Sequence, residues 1–468
     1  MPQLEALSDI ARTDLSVHQE RAFLVKVIIP GMNYDAHNPL RELAALASAA
    51  GAVVTNGLIQ KRASPSPRTY LGRGKLQELR EQVAADEADT IIFDNDLAPA
   101  QIRELEKATE RKIIDRSELI LDIFATRART HEAKLQVELA QLEYTAPRLR
   151  GMWTHLERIA GAAGATGAGV VGGIGTRGPG ERQIEIDRRI VADRIAHLKR
   201  QIEQIENRKI REVHSRSDQF TVSLVGYTNA GKSSLMNALT DAGQQIEDKL
   251  FATLDTRTAR WVLGNRHVAL LSDTVGFVRD LPHHLVASFR ATLEETLHAR
   301  LLLHVVDVAA PDALWQVESV QAVLADLGCA DAPTIALLNK VDVAQNEALI
   351  TVLENRLPQS ICVSAKTGYG LDHLVERVVH EMRRRATHIT VRTAVGDGRL
   401  IAEIDRLAEV VDRRYVGNAT EMVLNIDHTH LEQLLGRYPD LKVVSPADSI
   451  PPDAGRDPPR PCRPDPDR

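Results

Sequence analysis

Gly226-Tyr227-Thr228-Asn229-Ala230-Gly231-Lys232-Ser233 is the stretch whose reading decides the fold. It has the form G-x-x-x-x-G-K-[ST], follows the apolar run Phe220–Val225 and precedes the helical stretch Ser234–Leu239. Strand, glycine loop and helix in that order mark a phosphate-binding loop. Each residue type has a physical task. Gly226 and Gly231 allow backbone turns and close approaches that a Cβ would block. Successive backbone N–H groups then form a concave anion site at the positive end of a helix. Lys232 brings a cation to the β- and γ-phosphates, and the Ser233 hydroxyl is a candidate Mg2+ ligand.

Two further elements follow in the order such a site requires. The apolar run His267–Leu271 ends in Ser272-Asp273-Thr274-Val275-Gly276. Asp273 at a strand end suits a second Mg2+ position reached through water, and Gly276 suits a backbone N–H close to the γ-phosphate. Thr334–Leu338 leads into Asn339-Lys340-Val341-Asp342. A carboxylate such as Asp342 accepts two parallel hydrogen bonds from the donor–donor edge of guanine, which adenine lacks. A buried carboxylate left unpaired by the wrong base is heavily penalised. The Lys340 stem can lie against the base, and Val363-Ser364-Ala365-Lys366 fits a loop whose backbone contacts guanine O6. The nucleotide expected is GTP.

Between the first and second elements, Phe251-Ala252-Thr253-Leu254-Asp255 lies where a mobile loop must bring a hydroxyl to Mg2+. Thr253, Thr256 and Thr258 all qualify, and spacing does not choose among them. Many GTPases place a glutamine just after D-x-x-G to orient the attacking water. Here that position is Phe277, whose ring cannot do so, and slow intrinsic hydrolysis is expected. Asn229 is either a loop-stabilising residue or a sign that K+ supplies extra positive charge. Its position leaves both readings open.

Working outward, residues 22–130 alternate β-branched runs (Ala22–Ile29, Ala52–Ile59, Thr90–Phe93, Lys112–Ile114) with helical periods (Leu40–Ala50, Leu76–Val83, Gln101–Ala108). This predicts an α/β unit with a mainly parallel sheet. From His131 the pattern becomes helical. Ile184, Val191, Leu198 and Ile205 recur every seven residues, with Ile195 and Ile202 at a second position interrupted by Arg188 and Lys209. A bend with nine glycines between Gly161 and Gly180 separates two helical stretches. The expectation is a long antiparallel helical hairpin with a mobile tip. A doubly wound α/β domain and a small βαββαβ unit follow, the latter ending near Val444.

The expected organisation is an α/β multidomain chain. It comprises an N-terminal α/β domain (1–130), a helical hairpin with a Gly-rich tip (131–216) and a P-loop GTPase domain (217–387). A small α+β C-terminal domain (388–446) and a Pro-rich tail (447–468) complete it. The tail holds seven prolines in 22 residues and is expected to be disordered.

With 468 residues, 43% hydrophobic and 26% charged, the chain is neither wholly disordered nor fibrous. A net charge of −6 does not advertise a nucleic-acid binder, yet Pro147 to Arg216 holds 14 Lys/Arg against 8 Asp/Glu, a local +6. Three cysteines, far apart, fit a reducing compartment. Met1 to Glu20 carries Glu5, Asp9, Asp14 and Glu20 and does not read as a signal peptide. Leu301–Val308, the most apolar run, is interrupted by His304 and Asp307 and is too short to span a membrane. A cytoplasmic protein without a membrane span is expected.

Weaker signals read as structure. Gly167–Gly172 and Gly173–Gly178 match G-x-G-x-x-G but follow no strand. Gly72-Arg73-Gly74-Lys75 reads as a turn, and His428 with His430 as a surface strand end.

With those residues in place, the chain resembles the HflX-type GTPases of the Obg–HflX superfamily over most of residues 22–445. The G motifs above carry the resemblance, joined by Tyr70-Leu71-Gly72-Arg73-Gly74-Lys75-Leu76, Phe93-Asp94-Asn95-Asp96-Leu97 and Gly178-Pro179-Gly180-Glu181. It implies Thr253 as the Mg2+ ligand beside Ser233, with Lys232, Thr253 and Gly276 as catalytic residues. It implies GTP and GDP as ligands, and the large ribosomal subunit and its rRNA as partners. The implied activity is the GTP-dependent splitting of stalled or idle ribosomes, with hydrolysis stimulated by the ribosome and the apolar replacement of glutamine at Phe277 as a family trait. Arg177, Arg182, Arg188 and Arg189 become the expected rRNA contacts, and a monomer is expected. A GTPase that modifies tRNA would need a catalytic cysteine or cofactor site in the extra domains, and neither is found. A switch acting through a protein partner of the hairpin is the other alternative.

Overall fold

The computed structural model describes residues 20–32, 34–35, 37–146, 189–205, 208, 219–240, 257–264, 267–278, 299–385, 387–426, 428–439 and 441–446. They fall into two compact units. One takes the chain to Ala128 together with Val137–His197, and the other takes Arg129–Gln136 and the chain from Leu198 onward.

In the first unit, Arg21–Ile28 (β1), Val53–Lys61 (β2), Thr90–Phe93 (β3) and Lys112–Ile114 (β4) form a parallel sheet in the order β2-β1-β3-β4. Helices Arg41–Ala49 (α1), Arg73–Ala85 (α2), Pro99–Thr109 (α3) and Arg116–Arg127 (α4) alternate with them. Gly72–Lys75, expected as a turn, instead opens α2, with Gly72 extended at the N-cap. α4 has no counterpart in the sequence reading. Asp115 caps it by accepting the Glu118 N–H, as an N-cap carboxylate does.

β1 is buried from Ala22 to Ile28, as a central parallel strand should be. Lys26 therefore carries its ammonium into the interior, and Asp94, just past β3, meets it at 2.7 Å. Asp94 also accepts Arg116 Nη1 at 2.5 Å, while Arg116 Nη2 reaches Glu42 at 2.5 Å. A buried network of this kind survives only if intact. Asp94→Ala should lower the stability of this unit by about 3–5 kcal/mol, because two buried cations lose their shared carboxylate. Urea unfolding followed by circular dichroism measures it. A loss under about 1 kcal/mol would mean that water already screens the cluster.

Helix α5 (His131–Thr145) and the helical residues 189–205 (α6) meet at a forked ion pair within this unit. Arg194 Nε and Nη2 reach the two Glu138 carboxylate oxygens at 2.8 and 3.0 Å. On α6, Leu198 and Ile202 are buried while Val191, Ile195 and Ile205 are half-buried, so the heptad stripe is the packed face. Ile184, the glycine bend and both G-x-G-x-x-G matches lie outside the described residues.

The second unit holds a six-stranded sheet in the order β10-β9-β8-β5-β7-β6. Its strands are Phe220–Gly226 (β5), Arg257–Leu263 (β6), His267–Asp273 (β7), Leu301–Asp307 (β8), Thr334–Asn339 (β9) and Ile361–Cys362 (β10). Only β6 runs antiparallel to its neighbour, β7. Helices Lys232–Leu239 (α7), Ala313–Asp326 (α8), Glu347–Arg356 (α9) and Leu371–Arg385 (α10) alternate with the strands. β5 lies between β7 and β8, so the loop after it opens at the topological switch point, where doubly wound sheets bind ligands.

Thr387–Ala394 (β11), Glu409–Val416 (β12), Ala419–Ile426 (β13) and Lys442–Pro446 (β14) form an antiparallel sheet in the order β12-β13-β11-β14. Gly398–Leu407 (α11) and His428–Arg437 (α12) complete the βαββαβ pattern. His428 and His430, expected at a strand end, belong to the first turn of α12, which must precede the core contact at Leu434. Among the described residues no helix is long and apolar enough to cross a membrane.

Candidate nucleotide-binding site

Gly226 ends β5 and Gly231 leads the loop into α7. At Gly226, with φ +153°, a Cβ would lie 2.3 Å from the Val305 carbonyl oxygen on β8. At Gly231, with φ +96°, it would lie 2.3 Å from Asn339 Nδ2. Both glycines thus answer protein neighbours, not only a ligand. Asn229 lies exposed between them at φ +61°, a conformation asparagine tolerates better than most residues. Thr228 Oγ1 is buried with no hydrogen-bond partner among the described residues, the kind of orphaned group that a ligand satisfies.

Lys232, the first residue of α7, is buried, and its ammonium folds back to donate to the carbonyls of Gly226 and Tyr227 at 3.0 and 2.8 Å. Burial pulls its pKa down to about 8, with Asp273 opposing the shift in part. His304 on β8 is also buried. Burial, with the nearby Lys232 charge, takes its pKa down to about 4 and keeps the ring neutral.

Ser233 donates its hydroxyl to Asp273 Oδ2 at 2.6 Å, so the two expected metal-site residues stand together. A hydroxyl beside a carboxylate is a hard oxygen set that suits Mg2+, which binds through few protein groups and keeps several waters. Among the described residues no cluster of three or more His, Cys, Asp and Glu side chains forms a cage for a different ion. Phe251, Ala252, Thr253, Leu254 and Asp255, with Thr256, lie outside the described residues. Thr258 sits on β6, its hydroxyl 3.0 Å from that of Ser272.

The segment after β7 is strapped to the phosphate loop. Thr274 Oγ1 donates to the Leu224 carbonyl at 2.6 Å. The Thr228 N–H donates to the Phe277 carbonyl at 2.7 Å, and the Phe277 N–H to the Gly226 carbonyl at 3.1 Å. A Cβ on Gly276 would lie 2.8 Å from Thr228 Cα and 3.0 Å from Lys232 Nζ. Val275 is buried next to it. The Phe277 ring is buried with Val225, Tyr227, Leu302 and Val320, and Tyr227 meets Trp315 edge to face at 6.0 Å. Phe277 is thus an anchor as well as a missing glutamine.

The base motif grips the same loop. Asn339 Nδ2 donates to the Ala230 carbonyl at 2.9 Å, and its Oδ1 accepts the Ala365 N–H at 3.1 Å. Lys340 donates to the Asn229 carbonyl at 2.8 Å and to Asp307 Oδ2 at 2.7 Å. Asp307 was missed as a site residue. Its signal was an acidic residue closing an apolar strand, as Asp273 does. Asp342, expected to be buried, is exposed, and its Oδ1 accepts the Ser364 hydroxyl at 2.7 Å. Val341 is half-buried, Ser364 buried and Lys366 exposed. Ser234 follows Ser233 in α7. Of the expected rRNA contacts only Arg189 is described, exposed at the start of α6, while Arg177, Arg182 and Arg188 lie outside the described residues.

Three family descriptions match the chain: GTP-binding GTPase N-terminal over residues 37–125, GTP-binding GTPase middle region over 127–216, and 50S ribosome-binding GTPase over 221–340. The GTPase HflX of Magnetococcus marinus is 42% identical over 429 residues, covering 90% of this chain and 96% of that protein. The GTPase HflX of Escherichia coli K12 is 42% identical over 374 residues, covering 79% of this chain and 85% of that protein. The solved GTP-binding protein of Sulfolobus solfataricus in complex with GDP is 24% identical, covering 78% of this chain and 99% of that one at a TM-score of 0.40. No residue role follows from so loose a likeness.

Proposed function

The chain belongs to the HflX family of GTPases, and from that premise we propose that it uses GTP to bind the large ribosomal subunit and split stalled or idle ribosomes. Hydrolysis then serves its release. The observation that carries the GTP site is the grip of Asn339 and Lys340 on the Ala230 and Asn229 carbonyls. These bonds tie the base motif directly to the phosphate loop. The ribosomal partner is supported by the 50S ribosome-binding GTPase description over residues 221–340.

Within this reading Lys232 neutralises charge on the β- and γ-phosphates, and the N–H groups of residues 227–234 cradle them. Asp342 reads the guanine edge while Lys340 and Ser364–Lys366 frame it. Ser233 and Thr253, with Asp273 through water, are the residues that would hold Mg2+, and the ion would supply positive charge at the phosphate oxygens. Phe277, turned into the core, orients no water, so hydrolysis is slow alone and a ribosomal element or K+ near Asn229 supplies what is missing. Equal hydrolysis rates in Na+ and K+ would remove K+ from this scheme.

The division of labour follows the expected boundaries: an N-terminal domain over 1–130, a hairpin over 131–216, the GTPase domain over 217–387, a small domain over 388–446 and a tail beyond. The excess of 14 Lys/Arg over 8 Asp/Glu between Pro147 and Arg216 suits a phosphate backbone. Arg177, Arg182, Arg188 and Arg189 are the proposed rRNA contacts. The protein acts in the cytoplasm as a monomer.

Sedimentation of intact ribosomes with the protein under GTP, a non-hydrolysable analogue and GDP tests the reading. The expected result is conversion to subunits with GTP and with the analogue, and none with GDP. Failure both to split and to co-sediment with ribosomes or large subunits would sink the ribosomal reading. The GTPase would remain, acting through a protein or tRNA partner.

A further inference from the structure

β8 ends at Asp307, directly across from Asn339 in the parallel register with β9. The Asp307 carboxylate makes two different bonds. Its Oδ1 accepts the Ala309 N–H at 2.9 Å, which fixes the turn leaving the strand. Its Oδ2 accepts from Lys340 Nζ at 2.7 Å. That ammonium also donates to the Asn229 carbonyl at 2.8 Å, at the crown of the phosphate loop. Of the three donors an ammonium has, two are therefore held by protein groups distant in sequence. Lys340 itself stands at φ +67°, a conformation uncommon for a non-glycine residue.

A free lysine has a long flexible stem and no reason to lie flat. Here the strained backbone fixes one end of the stem and the Asp307–Asn229 pair fixes the other. The ion pair is partly exposed, with side-chain exposures of 29% for Lys340 and 17% for Asp307. Pairs at such positions contribute little to global stability. Their effect lies in orientation, and it is felt when a ligand needs the lysine in one place.

We infer that Asp307 is a positioning residue of the nucleotide site. By holding the Lys340 ammonium against the Asn229 carbonyl, it sets the lysine stem as a preformed shelf for the guanine face and couples base recognition to the shape of the phosphate loop. The inference rests on reading Asn339–Asp342 as the base reader.

Fluorescent GDP binding to the full chain tests it through a double-mutant cycle of Asp307→Asn, Lys340→Met and the pair together. Asparagine keeps an acceptor for the Ala309 N–H but turns an N–H2 towards Lys340, so it removes the charge and the lysine's acceptor together. Asp307→Asn should weaken GDP about tenfold, mainly through faster release. In the Lys340→Met background it should change affinity by less than about twofold, since there is no ammonium left to place. Additive losses, or unchanged affinity in the single variant, overturn the inference. Should Asp307→Asn fail to fold, Asp307→Ser, which also keeps an acceptor near Ala309, enters the same cycle. Asp342→Asn, scored for guanine against xanthine, runs alongside. If it leaves guanine preferred, the base-reader assignment falls. If the preference shifts while the cycle is additive, the role of Asp307 alone falls.

Discussion

Replacing Lys232 by methionine should weaken GTP and GDP by roughly 30-fold or more, the cost of deleting one partner from a desolvated charge pair, while making the nucleotide-free protein more stable. The two effects have one cause. Without phosphate, the buried ammonium has two backbone carbonyls and the Asp273 field for company. That is too little to replace water, so its pKa falls from the ordinary 10.5 to about 8. Such a drop corresponds to about 3 kcal/mol of destabilisation. Because the folded value lies below the unfolded one, the unfolded chain holds more protons between about pH 8 and 10.5. Stability therefore rises with pH across that window, and the full cost is present below about pH 8. Methionine removes both the cost and the slope. Phosphate oxygens reverse the shift, so binding above about pH 8 must draw in a proton, and affinity should fall by up to about tenfold per pH unit there. Fluorescent nucleotide titrations between about pH 7 and 9.5, and calorimetry in buffers of different ionisation heat, check the point. Affinity that stays flat over that range, with no proton taken up, would show that the ammonium is not what the phosphates meet.

The phosphate loop, Asp273 and Asn339–Asp342 were legible in the sequence because each motif is local. Its spacing survives any arrangement of the rest, and strand–helix alternation fixes the order in which the motifs meet. The N-terminal sheet was legible for a similar reason, since β3 and β4 are short β-branched runs set between helical periods. α4 was not, because Leu119, Ile120, Leu121, Ile123 and Phe124 are all buried. A helix covered on nearly every side loses the one-sided stripe by which helices are recognised. Long-range pairings left no trace either. Lys26 sits inside an apolar run, and its partner Asp94 lies 68 residues on, across two helices and two strands. Asp307 and Lys340 are 33 residues apart and meet only because β8 and β9 pair in register. Phe277 shows a third kind of gap. Its side chain type excludes a water-orienting role, while its backbone pairing with Gly226 and Thr228 exists only in the fold.

Asp342→Asn should turn the site from guanine towards xanthine, with GTP weakened by at least about 100-fold and XTP becoming the preferred ligand. The direction follows from the way Ser364 is held. Its hydroxyl oxygen accepts the Thr367 N–H at 3.2 Å, so its proton is left to donate to Asp342 Oδ1 at 2.7 Å. An asparagine at this position keeps that bond by turning its carbonyl to Ser364, which points its amide N–H2 at the base. Guanine presents N1–H and a 2-amino group, so the amide would face a donor where a carboxylate oxygen had accepted. Xanthine presents a carbonyl at position 2, which the amide satisfies, while the asparagine carbonyl retains a lone pair for N1–H. Asp342 is exposed without ligand, so the substitution should leave the nucleotide-free fold within about 0.5 kcal/mol of the parent. Competition of GTP, ITP and XTP against a fluorescent guanine nucleotide measures the change in the parent, and against a fluorescent xanthine nucleotide in the variant. ITP lacks the 2-amino group, so its loss relative to GTP in the parent isolates one of the two bonds to the carboxylate. A variant that still ranks GTP first, in a chain whose unfolding is unchanged, would mean that Asp342 does not read the base.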